Sequence, residues 1–135
     1  MSTSTVNYLG QLRASAIHLQ SNCEVITDAP VDNHGKGEAF SPTDLVATAL
    51  ASCMITVMGI KAEGMEIDLS GTHATIQKHM SVTPRRISKI EVVINFNKNF
   101  DARTRKILEA TALSCPVSQS LHPDTEQNVT FNYPN

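Results

Sequence analysis

The sequence lacks a surplus of charge of either sign: 11 Lys and Arg stand against 13 Asp and Glu, for a formal net charge of -2 and a pI near 6.2. That balance gives no electrostatic reason to expect nucleic acid or an anionic membrane as a partner. Residues 1–6 have neither the basic start nor the apolar run of a secretory leader, so the cytoplasm is the expected compartment. Cysteine is scarce: three residues, an odd number, make a poor disulfide framework in a reducing compartment. Chemistry or burial must account for them. No Cys-x-x-Cys or His-Glu-x-x-His occurs, and His18, His34, His73, His79 and His122 have no paired ligand spacing, so no metal site is expected. Gly35-Lys36-Gly37 lacks the other parts of a phosphate-binding loop, and Arg85-Arg86 is too short a basic patch for a nucleic-acid surface. Internal repeats and low-complexity segments are absent.

What is present suits one folded domain spanning residues 1–135, with 41% hydrophobic and 18% charged residues. Residues 6–9 and 14–19 flank Gly10-Gln11 as a hairpin, and residues 23–27 predict a third short strand. Pro30, Asp32, Asn33, Gly35 and Gly37 mark residues 29–40 as a flexible loop. Ser41-Pro42-Thr43-Asp44 then reads as a helix start, with Ser41 as N-cap and Asp44 closing a capping box.

From Leu45 to Ile60 no side chain is charged, and Gly64 supplies a stop, which predicts a helix buried nearly all round. A membrane span is the rival reading, but the uncharged run falls short of the roughly 18 residues that suggest one, and Thr48, Ser52 and Thr56 interrupt it. One small domain struggles to cover every face of such a helix, so a second copy is expected to supply the missing cover: a homodimer.

Residues 65–80 and 87–96 read as two longer strands joined around Thr83-Pro84, with Ile90, Val92, Ile94 and Phe96 alternating. Asp101 can cap an amphipathic helix reaching about Leu113; Cys115-Pro116 breaks it, residues 117–121 form a further turn or short helix, and residues 129–133 close the chain as a strand. Hairpins with helices between them give an α+β class with antiparallel sheets.

Read alone, Cys53 is explained by packing, since free cysteine behaves as a small hydrophobe. Cys115 differs, because a cysteine before proline at a helix start can receive the N-terminal partial charge that lowers a thiol pKa. Cys23 falls in a strand and is assigned no role.

Ser41-Pro42-Thr43-Asp44-Leu45 leading to Ala51-Ser52-Cys53, followed by Ser114-Cys115-Pro116-Val117-Ser118, resembles the OsmC/Ohr family of osmotically induced and organic hydroperoxide resistance proteins, over nearly the whole chain. The resemblance implies an OsmC-like fold and an intertwined homodimer, with Cys53 as peroxidatic and Cys115 as resolving cysteine. A small or lipoyl-type dithiol would be the reductant, and no cofactor is implied. Arg13, just after the first turn, matches the place of the family's active-site arginine. Hydroperoxide-specialised members carry a glutamate after the helix-starting proline to orient that arginine. Thr43 stands there in this chain, so Asp44 and Glu38 are the candidate arginine partners. Phe40, Met54 and Met58 are candidate apolar lining for an organic hydroperoxide at the subunit interface. The departure at Thr43 motivates a second reading, a non-catalytic dimeric ligand-binding module; a third on the same fold, a thiol redox sensor, uses the same thiols without an efficient reductant.

Overall fold

A computed structural model describes all 135 residues. The chain forms two compact units, Met1–Val46 and Ala47–Asn135. Helix α1 (Pro42–Gly64) begins in the first and has its body in the second.

In the first unit β1 (Ser4–Gly10), β2 (Arg13–His18) and β3 (Glu24–Asp28) form an antiparallel meander in chain order. The hairpin expected at Gly10-Gln11 closes through Gln11 and Leu12, whose φ angles of 55° and 64° both lie in the left-handed region that a type I′ turn demands. Leucine is an uncommon occupant there, and its N–H donates to Tyr8 Oη at 3.2 Å. Because the turn is this tight, β2 opens directly at Arg13, whose register partner is Asp28 at the end of β3. The loop that follows holds a 3-10 turn at Val31–Asn33. A Cβ on Gly35 would fall 1.7 Å from the Ala29 carbonyl oxygen, so the path of this loop requires glycine.

The capping box forms as the sequence predicts. Ser41 N–H donates to Asp44 Oδ2 at 3.0 Å, and Asp44 N–H donates to Ser41 Oγ at 3.0 Å. Helix α1 then runs for 23 residues, long and apolar enough by length and composition to cross a membrane, although core helices share that property. Its burial departs from the all-round expectation. Ala47, Leu50, Ala51, Met54, Met58 and Ala62 form a buried stripe, whereas Val46, Ala49, Ser52, Thr56 and Ile60 are exposed. A helix presents only a stripe to any one packing layer, so an uncharged sequence alone does not bury the other side.

The second unit places β4 (His73–Val82), β5 (Arg85–Asn95) and β6 (Glu126–Asn132) side by side. Ile90, Val92 and Ile94 of β5 are fully buried, and they share one core with Leu50, Met54 and Met58 of α1 and with Leu108 and Ala112 of α2 (Ala102–Leu113). The alternation read from the sequence is this inward face. Two expectations are corrected here. Residues 65–72 are turn rather than strand: Glu66 takes a φ of 59°, and the Asp68 carboxylate accepts from both Ser70 N–H, at 2.9 Å, and Ser70 Oγ, at 2.6 Å. The second sheet is mixed rather than antiparallel, because β6 pairs with β5 in parallel. Parallel neighbours need a long crossover, and α2 and α3 (Pro116–Ser120) supply it.

Candidate active site

Cys53 sits on α1, half-buried against the core; Cys115 is 1% exposed within it. Local sequence explains the second position. Asp101 Oδ1 caps α2 by accepting Thr104 N–H at 2.8 Å, the helix ends at Leu113, and Pro116, unable to continue it, opens α3 instead. Cys115 is thereby the N-cap of α3, and its Sγ accepts the backbone N–H of Ser118 at 3.3 Å. The fold brings the two cysteines of the sequence motif together: the Cys53 side chain is close enough to Cys115 to act on its thiol, and both thiols are free.

Burial pushes the Cys115 thiol up, against the lowering by the Ser118 N–H, and the hydrogen bond and charge of Cys53 push it further. The sequence expectation of a lowered thiol at Cys115 is therefore reversed, because the core position outweighs the helix start. Two charges on adjacent sulfurs repel, which adds to the tendency of Cys115 to hold its proton. The arrangement sets a half-buried thiol on α1 beside a buried second thiol that holds its proton more tightly than usual. Cys23 is exposed in the turn before β3, not in a strand.

In the first unit, Arg13 forms a bidentate pair with Asp28: Nε to Oδ1 at 2.7 Å and Nη2 to Oδ2 at 2.9 Å. The Asp28 side chain is 2% exposed, and its Oδ2 also accepts Glu38 N–H at 3.2 Å. Glu38, one of the two partners expected from sequence, reaches Arg13 Nη2 at 3.5 Å and remains largely exposed. Asp44, the other, has its carboxylate in the capping box. Sequence reasoning missed Asp28. Its signal was an acid closing a short strand, in register with the first residue after the β1–β2 turn.

A cavity of about 310 Å³ opens beside Arg13 and Asp28, with Tyr8, Leu12, Ala14, Ala29 and Pro30 among its lining. The proposed apolar lining residues lie elsewhere: Met54 and Met58 are fully buried in the core, and Phe40 is 50% exposed beside Thr27.

The scaffold is α+β and carries two neighbouring free thiols, one on α1 and the other directly before a proline. The family model for OsmC-like proteins matches residues 35–130, and this chain belongs to that family. It is similar at 61% identity to the crystal structure of a Psychrobacter arcticus protein, provisionally named an osmotic stress induced and detoxification response protein, with a TM-score of 0.95 over 97% of this chain and 96% of that one. The Legionella pneumophila organic hydroperoxide resistance protein OsmC, 17% identical, shares the fold at a TM-score of 0.77, covering 98% of each chain. OhrB of Bacillus subtilis, 15% identical, does so at 0.68, over 96% of this chain and 98% of that one. No curated protein matched.

Proposed function

We propose that this protein is a thiol-dependent peroxidase that reduces organic hydroperoxides in the cytoplasm, using Cys53 and Cys115. One observation carries the reading: the two thiols of the family motif are neighbours inside one compact unit, both free. The Cys53 thiolate attacks the outer peroxide oxygen, the O–O bond breaks, and the alkoxide takes a proton and leaves as the alcohol. Cys53 is then a sulfenic acid. The Cys115 sulfur attacks it, the S–O bond breaks, the departing oxygen is protonated to water, and a disulfide remains. A small or lipoyl-type dithiol reduces that disulfide by exchange, and no cofactor takes part.

Arg13 is assigned the polarisation of the peroxide, its planar fork held in one orientation by Asp28. This pair supports the catalytic reading against the rival that arises from Thr43. A chain without the family glutamate still holds its arginine by a carboxylate, supplied by β3, so the departure gives no reason to read the site as a spent one that only binds.

We further take residues 1–135 as one domain of this kind, in keeping with the 97% of the chain that the Psychrobacter structure covers. A homodimer is inferred from the uncharged exposed side of α1 and from Val6 and Tyr8, which β1 exposes at 68% and 69%.

Cumene hydroperoxide with a dithiol tests the reading. Cys53→Ser is expected to lose turnover by about a hundredfold or more, and peptide mass after one equivalent of peroxide is expected to show a Cys53–Cys115 linkage. A Cys53→Ser variant as fast as wild type sinks the mechanism. Binding of the hydroperoxide with every thiol intact would favour the binding module, and a linkage that no dithiol reduces would favour the sensor.

A further inference from the structure

Gln127 lies on β6 in register with Ile90, a fully buried residue of the central strand β5. From that anchored position its amide meets Ser118 twice. Oε1 accepts from Ser118 Oγ at 2.6 Å, and Nε2 donates to the Ser118 carbonyl at 3.2 Å. Ser118 in turn gives its backbone N–H to Cys115 Sγ at 3.3 Å. Helix α3 has only five residues, too few to keep their shape by their own hydrogen bonds. The orientation of Ser118, and with it the direction in which Cys115 is held, is therefore set from the sheet.

Resolution makes a strict geometric demand, because the Cys115 sulfur must reach about 2.05 Å from that of Cys53, along the line of the bond that breaks. Peroxide attack makes no such demand on α3, since Cys53 is the only one of the two thiols it involves. We propose that Gln127 is a positioning residue, clasping Ser118 so that the disulfide-forming step depends on it while the first oxidation of Cys53 does not. The proposal rests on the thiol-pair reading above and adds a residue to its second step.

Full-length reduced protein is given one equivalent of cumene hydroperoxide, with the Cys53 sulfenic acid trapped by dimedone and the linkage followed by peptide mass. Gln127→Ala is expected to oxidise Cys53 within about twofold of wild type and to form the linkage roughly tenfold more slowly, so that sulfenic acid accumulates. Ser118→Ala, which removes only the Oγ bond, and Gln127→Glu, which keeps an acceptor for it, are expected to fall between. Linkage at the wild-type rate in Gln127→Ala, or equal slowing of both steps, overturns the proposal. An aromatic disulfide separates this outcome from failure of the peroxidase reading. It places a mixed disulfide on Cys53, which Cys115 must displace with release of the aromatic thiolate. If peroxide oxidises neither cysteine, slower release in Gln127→Ala still supports the clasp, and unchanged release overturns it.

Discussion

Asp28 performs at the scale of one residue a task that the sequence offered to Asp44 or Glu38. Hydrogen bonds from Arg13 hold its carboxyl below the ordinary carboxylate range, more strongly than its burial raises it. A carboxylate depressed in this way stabilises the fold above its unfolded value, about 3.9, and that contribution is lost as pH falls through the lower folded value. Asp28→Asn keeps the shape and removes the charge. It is expected to melt below wild type at pH 7, with the difference shrinking steadily once the pH drops under about 3.9, as the wild-type carboxylate itself protonates. Melting curves at a series of pH values check this, and a difference that stays constant through the acid range would exclude the charge pair as its cause. Arg13 was legible through the family resemblance, which places an arginine just after the first turn. Asp28 was not, because the number of residues taken up by the turn between β2 and β3 decides which residue faces the arginine, and a slip of one would send the carboxylate to the other side of the sheet.

Elements whose ends carry chemical signals were readable, and those defined by a distant neighbour were not. The capping box at Ser41 and Asp44 and the cap at Asp101 are local contacts, so the sequence contains them whole. The direction of β6 is not local. A period of two states which face of a strand is buried and is silent on whether the neighbour runs parallel or antiparallel. The same reasoning covers the burial of α1, where the lack of charge describes the helix and the surrounding layers decide which side is covered. Because the capping box begins the helix that carries Cys53, its loss is expected to be felt through that whole element. Ser41→Ala should lower unfolding stability by about 1 kcal/mol or somewhat more, given that Ser41 is 1% exposed. Denaturant titration measures it, and an unchanged midpoint would mean that core packing alone fixes the start of α1. Restoring an N-cap through Ser41→Asn should recover part of the loss.

At the scale of the whole molecule, the exposed side of α1 is the feature that a single chain leaves unexplained. Ile60 is 67% exposed, and the residues sharing its side of the helix as far back as Val46 carry no charge. Scattered apolar residues on a surface are ordinary, but an uncharged strip along the helix that holds Cys53 is the pattern of a contact surface. If that surface meets its own copy across a twofold axis, the strip is self-complementary, and one substitution acts on both sides of the interface at once. Ile60→Lys therefore introduces two ammonium groups per dimer into a contact that offers them neither water nor a partner, whereas in an isolated chain it replaces an exposed side chain with a better-solvated one. The expected result is a wild-type protein sedimenting at twice the 14.7 kDa chain mass and a variant sedimenting at the chain mass, with the variant's far-ultraviolet circular dichroism unchanged. Wild type that sediments as a single chain at tens of micromolar would remove the inferred dimer. It would leave the proposed two-thiol chemistry untouched, because both sulfurs belong to one unit of one chain.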